Sequence, residues 1–212
     1  ILRGVSLTLR AGETLGLMGR NGMGKTTLIR TIMGLVRPRS GSVMIDGRDV
    51  TREAPFRIAR TGIAYVPEGR GVFASLTVAE NLAIAERSVA GTGTRWTLGR
   101  VLELFPRLGQ RLANRGDQLS GGEQQMLAVA RALLTNPRVM ILDEATEGLA
   151  PLIRDEIWRT IRLVRDSGIA TLVVDKSVAE VTAVADRVVI LVKGQVAFEG
   201  SAEALKAAPE IM

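Results

Sequence analysis

The strongest constraint on how this chain folds is a glycine-rich turn set between an apolar run and a helix-forming run. Thr14 to Met18 (TLGLM) is short, apolar and strand-like, and it leads straight into Gly19 to Thr27 (GRNGMGKTT). The turn fits G-x-x-x-x-G-K-[ST], with Gly19, Gly24, Lys25 and Thr26 at the fixed positions and Asn21, Gly22 and Thr27 completing the loop. A chain of phosphates needs several backbone N–H groups aimed at it, and glycine lets the backbone come that close. A helix beginning near Lys25 adds the positive end of its dipole. Lys25 then reaches the outer phosphates, and the Thr26 hydroxyl is a ligand for Mg²⁺. The bland alternative is a chance match, but a strand before the turn and a helix after it are the context the chemistry requires. Without ligand, Lys25 is expected to face solvent.

Two later segments add polar chemistry. Val139 to Glu144 (VMILDE) reads as a buried strand ending in two carboxylates, with Asp143 suited to the Mg²⁺ shell and Glu144 to polarising an attacking water. Taken alone, such acids mark a turn or a helix start. Leu119 to Gln125 (LSGGEQQ) opens a helix, and Ser120, Gly121 and Gly122 form either a second anion cradle or an ordinary serine cap with a flexible turn. One chain does not need two cradles. Two chains set head to tail do, because each closes the other's site.

Strand and helix patterns alternate along the rest of the chain. Strands are predicted over Ile1 to Leu9, Ser42 to Ile45, Gly62 to Val66, Ala170 to Val174 and Arg187 to Val192. Helices are predicted over Lys25 to Gly34, Pro55 to Thr61, Glu123 to Thr135, Ile153 to Ser167 and Val178 to Ala185. Such alternation predicts an α/β fold, a mostly parallel sheet covered on both faces. The stretch after Pro67 changes character, with helical segments near Val78 to Val89 and Leu98 to Leu108 joined by a loose segment, Ala90 to Arg95. It reads as a helical insertion, dividing the chain into 1–67, 68–118 and 119–212.

Composition narrows the chemistry. The absence of cysteine and histidine excludes disulfides, thiol catalysis, zinc held by either residue and any imidazole base. The net charge is +6, but the basic residues are scattered and mostly arginine, which fits a solvated surface as well as an anionic partner. No apolar run approaches the roughly 20 residues of a membrane-spanning helix. The start at Ile1, inside a strand-like run with no leader pattern, predicts a fragment trimmed at both ends.

The phosphate loop, LSGGEQQ and VMILDE, in this order and spacing, resemble the ABC-type ATPases, the nucleotide-binding subunits of ABC transporters. The resemblance covers essentially the whole chain. Ala64 to Leu82 (AYVPEGRGVFASLTVAENL) and Asp143 to Pro151 (DEATEGLAP) resemble the subgroup that powers branched-chain amino acid importers. The resemblance implies a P-loop NTPase (RecA-like) core with an inserted helical subdomain. It implies ATP and Mg²⁺ as ligands, with Gly19 to Thr27 holding the triphosphate in cis and Ser120, Gly121 and Gly122 meeting the partner's γ-phosphate. Asp143 would organise the metal, Glu144 would be the catalytic base, and Asp186 a structural residue. Expected partners are a second ATPase subunit, identical or homologous, permease subunits in the membrane and a solute-binding protein at the level of the complex. The expected place is the cytoplasmic face of the membrane, peripherally bound, with no nucleic acid partner.

Four departures qualify the resemblance. Glu68 stands where the family usually has Gln, and its carboxylate remains a possible Mg²⁺ ligand. Ala150 replaces the usual Asp after Glu144. Lys176 replaces the switch His, and it either meets the γ-phosphate or sits near Glu144, with a catalytic role in the first case. The aromatic that stacks on adenine would lie upstream of Ile1. Phe73, Leu76 and Val78 are candidate apolar contacts for a permease helix, or simply pack the insertion. The rival functions are a soluble ABC ATPase acting on nucleic acid or ribosomes and a weakly hydrolysing regulatory paralogue.

Overall fold

The computed structural model describes residues 1–86 and 96–207. The strands are β1 (Thr14–Met18), β2 (Met44–Ile45), β3 (Arg48–Asp49), β4 (Ile63–Val66), β5 (Val139–Asp143), β6 (Ala170–Val174), β7 (Arg187–Val192) and β8 (Gln195–Ser201). The helices are α1 (Lys25–Ile32), α2 (Pro55–Arg60), α3 (Val78–Ala85), α4 (Leu98–Leu104), α5 (Pro106–Gly109), α6 (Gly121–Leu134), α7 (Pro151–Asp166), α8 (Val178–Val184) and α9 (Ala202–Lys206). Six strands form the main sheet in the order β4-β5-β6-β1-β7-β8. All neighbours are parallel except β8, which turns back against β7 at the edge. The expected mostly parallel sheet is therefore present.

The sheet separates two cores, and the two-residue period of its strands decides which side chain enters which. Met18, Met140, Leu142, Val173, Val188 and Ile190 enter the larger core, with residues of α3 to α9. Leu15, Leu17, Ile141, Leu172, Val174, Val189 and Leu191 enter the smaller one, with Leu28 and Ile29 of α1 and Ile58 of α2. Both faces are covered, which is why these strands read as continuous apolar runs. Each fully buried Leu or Val contributes roughly 1.5–3 kcal/mol relative to exposure.

Several expected elements differ. Ile1 to Leu9 forms no strand: Leu2, Val5, Leu7 and Leu9 pack against the smaller core, as their alternation predicts. Arg3 N–H donates to the Gly194 carbonyl at 2.8 Å, but this is an isolated bond and not a ladder. The helix predicted over Leu98 to Leu108 is broken at Phe105, because Pro106 brings no N–H and starts α5. The end of the helix predicted to Val89 and the loose segment Ala90 to Arg95 lie outside the described residues. Helices α3, α4 and α5 pack on α6 through Val78, Leu82, Val101, Phe105 and Leu108. Among the described residues no helix is long and apolar enough to cross a membrane.

Candidate active site

Parallel strands point the same way, so the loops that leave their carboxyl ends gather along one edge of the sheet. Register fixes which loops meet: Leu17 of β1 lies opposite Val174 of β6, Asp143 of β5 opposite the same Val174, and Val66 of β4 opposite Leu142. The phosphate loop, the Asp143–Glu144 pair, Lys176 and Glu68 therefore leave neighbouring strand ends.

The loop leaves β1 at Gly19, whose φ of 144° favours glycine. A Cβ there would meet the Leu191 carbonyl oxygen at 2.5 Å, so the loop can run tight against β7 only with glycine. Gly24 caps α1 at φ 105°, Lys25 is its first residue, and Thr26 and Thr27 lie in its half-buried first turn. Asn21 and Gly22 are exposed at the tip.

Lys25 does not face solvent: it is 4% exposed. Its ammonium donates to the Gly19 carbonyl at 2.7 Å and the Arg20 carbonyl at 3.4 Å, and lies 3.3 Å from Glu144 Oε1. A buried cation needs such partners, and here they come from its own loop and from the next acid at the sheet edge.

Glu144 sits just past β5 with φ 50°, a left-handed conformation few side chains adopt. Its N–H donates to the Val174 carbonyl at 2.8 Å, which ties it to the end of β6. Its carboxyl is pushed up to about 7, first by a hydrogen bond with Glu147 and then by burial, against the opposing charge of Lys25. Glu147 is shifted the other way, by its bonds to Glu144 and Lys176. Lys176, which is exposed, lies 2.5 Å from Glu147 Oε1, and this contact raises its pKa. Of the two placements expected for Lys176, the observed one is on the Glu144 side, with Glu147 between them.

Asp143 is buried, and burial raises its pKa in spite of a bond from Tyr65. The Tyr65 hydroxyl donates to Oδ2 at 3.0 Å, and burial followed by the charge of Asp143 keeps that phenol protonated. The other oxygen, Oδ1, is buried without a hydrogen-bond partner. An orphaned carboxylate oxygen beside a phosphate loop fits a hard cation. Carboxyl oxygens of Glu68, Glu144 and Glu147 lie within 4.8 Å of one another, with Glu68 exposed.

The segment Ser120 to Gly122 is elsewhere. Ser120 caps α6 in a reciprocal box: its Oγ accepts from Glu123 N–H at 3.3 Å, and Glu123 Oε2 accepts from Ser120 N–H at 2.8 Å. Gly121 is packed under the Arg70 guanidinium and Gly122 against Ile153. None of these neighbours belongs to the phosphate loop. Asp186 accepts from Thr14 N–H at 2.8 Å and so anchors the start of β1. Sequence reasoning missed Tyr65 and Glu147; for Tyr65 the available signal was a lone phenol on the strand beside Asp143.

Comparison with known proteins places this arrangement. The family model described as "ABC transporter" matches residues 2–147, and the chain belongs to that family. It is 39% identical to the high-affinity branched-chain amino acid transport ATP-binding protein BraG of Pseudomonas aeruginosa, over 99% of this chain and 90% of that one. It is 37% identical to a probable branched-chain amino acid transport ATP-binding protein, LivF, of Archaeoglobus fulgidus, over 97% and 87%. A lipopolysaccharide export ATP-binding protein, LptB, of Acidithiobacillus ferridurans is also 37% identical, over 95% and 84%. Among solved structures, an ATP-binding subunit of an ABC transporter matches with TM-score 0.85 and 29% identity, over 99% of this chain and 87% of that one. A dimeric ATP-binding cassette in a post-hydrolysis state with ADP and Pi matches with TM-score 0.80 and 26% identity, over 95% and 90%. The chain is an ATPase of an ABC transporter, built on a P-loop NTPase α/β core.

Proposed function

We propose that this ATPase powers import of branched-chain amino acids or a related amphipathic solute, and that ATP is bound and hydrolysed at the carboxyl edge of β1, β4, β5 and β6. The observation that carries the site is Lys25 held beside Glu144 at 3.3 Å, in the turn that opens α1. Gly19, Asn21, Gly22, Gly24, Lys25, Thr26 and Thr27 hold the triphosphate, and its oxygens take over the carbonyl partners of Lys25. Thr26, Asp143 and Glu68 would hold Mg²⁺, which would supply charge neutralisation on the outer phosphates. Glu144 accepts a proton from the attacking water. Its pKa, pushed up to about 7, lies near a neutral working pH, and such a match makes general-base proton transfer efficient.

The solute assignment rests on the likeness to BraG and LivF. A second ATPase subunit, set head to tail, brings its own Ser120, Gly121 and Gly122 to this site. Among the described residues, the atoms packed nearest Gly121 and Gly122 belong to Arg70 and Ile153 and not to the phosphate loop, which favours that arrangement, as does the dimeric cassette among the structural relatives. The helices within 68–118 form a subdomain that receives a permease helix on the cytoplasmic face of the membrane. Of the three apolar candidates there, Val78 is fully buried and Leu76 half-buried, so Phe73, exposed under the Arg131 guanidinium, remains for that contact. Purifying the tagged chain from its native membranes and identifying what accompanies it tests the assignment. Multi-span permeases and a solute-binding protein are the expected companions, and nucleic acid or ribosomes in their place would overturn the transport reading.

A further inference from the structure

Two loops meet beside Glu144, and they pair residue by residue. Thr146 and Glu147 follow β5; Asp175 and Lys176 follow β6. Thr146 Oγ1 donates to Asp175 Oδ2 at 2.5 Å in a buried contact, and Lys176 Nζ donates to Glu147 Oε1 at 2.5 Å at the surface. The Asp175 side chain also accepts from Ser177 N–H at 2.9 Å, which fixes the start of its own loop. The buried bond sets the loops against each other, and the outer bond gives Lys176 a defined place. Glu147 faces inward as well. A carboxyl oxygen of Glu147 lies within 4.8 Å of one of Glu144, and its N–H donates to the Glu144 carbonyl at 3.2 Å. Glu144 meets Lys25 on its other side. The result is a line of four charged groups, Lys25, Glu144, Glu147 and Lys176, with two acids held between two cations.

We propose that Glu147 is a positioning residue for ATP hydrolysis. It fixes the Glu144 carboxyl and transmits the effect of Lys176, which acts on the reaction through Glu147 and not on the phosphates directly. The inference rests on the assignment of Glu144 as the base. Its grounds are geometric. The Glu144 backbone is held in an uncommon conformation by Val174 and Glu147, so the direction of its side chain depends on what grips the carboxyl. Among the described residues, Lys25 and Glu147 flank it, and Lys25 is the one an incoming triphosphate draws away. Glu147 then remains. Two neighbouring carboxylates repel each other, and the Lys176 ammonium offsets that repulsion. An acid at 147 and a cation at 176 thus form one unit across two loops.

Steady-state ATP hydrolysis by the assembled transporter tests this with Glu147→Ala, Lys176→Ala, the double variant, Lys176→Arg and Glu144→Gln. Both side chains of the outer pair reach solvent, at 63% and 34% exposure, so truncation leaves the cores intact. Each alanine variant is expected to lower kcat at least about tenfold, the cost of a misdirected reacting group, with KM for ATP changed less than about twofold. The double variant should be no slower than the slower single, because the two residues act as one. Lys176→Arg, which keeps the cation, should retain most of kcat. Multiplying losses in the double variant, or wild-type kcat in Glu147→Ala, would overturn the proposal while leaving the base assignment standing. Full turnover in Glu144→Gln would remove the base assignment, and the proposal with it.

Discussion

Lys25 is expected to exchange one set of partners for another when its ligand arrives. Alone, it is buried against two carbonyls of its own loop and the Glu144 carboxyl. With a triphosphate, it is proposed to serve the phosphates. Removing one member of a buried charge pair costs about 2–5 kcal/mol. Lys25→Ala is therefore expected to weaken ATP binding at least about 30-fold, measured by calorimetry on the folded protein, and unchanged affinity would remove the phosphate-loop assignment. The loop itself was legible, since local spacing, a preceding strand and a following helix are all the cradle needs. The burial of Lys25 was not, because its partner Glu144 is distant in sequence. The placement of Lys176 was half legible. Its loop was located, but the partner Glu147 belongs to the loop of the neighbouring strand. An acid after Thr146 and a cation after Asp175, in matching positions behind adjacent strands, were the available signal.

Elements set how rigidly that edge is held. β1 runs through the centre of the sheet, and a Cβ on Gly16 would come within 2.4 Å of Val181 Cγ1 of α8 and 3.1 Å of Val188 Cγ1 of the neighbouring β7. Gly16→Ala should cost about 1–3 kcal/mol of stability, the usual penalty of overpacking, read as a lower urea midpoint at unchanged slope. An unchanged midpoint would show that α8 is free to retreat. Apolar runs and helical periodicity disclosed β1, β4, β5, β6 and β7, which are buried between two helical layers. They did not disclose β8 and α9. β8 alternates exposed and half-buried residues at the sheet edge, so it shows no apolar run. Its signal was the Lys193-Gly194 pair, both at positive φ, the dipeptide geometry of a tight hairpin.

Across the whole molecule, charge ties the first residues to the far edge of the sheet. Arg187 of β7 bonds Glu13 at 2.8 Å and also reaches Glu199 of β8 and the Thr8 carbonyl. Burial raises the Glu13 pKa, but the bonds from Arg187 and Arg10 N–H outweigh it, so the carboxyl lies below its ordinary 4.5. A depressed folded value adds stability that is present above the unfolded pKa and lost as pH falls through the folded one. Glu13→Gln should accordingly lower the urea midpoint at pH 7, and the gap from wild type should close below about pH 4.5. A gap that persists to pH 3 would show that the contact contributes through packing alone. One edge of the sheet is proposed both to bind ATP and to split it, with Glu144 as the base. ATP binding and hydrolysis measured side by side on wild type and Glu144→Gln test it most directly. The variant should bind ATP at least as tightly and turn it over at least about 100-fold more slowly, the scale of a lost general base. A Glu144→Gln protein that hydrolyses ATP at the wild-type rate would contradict it.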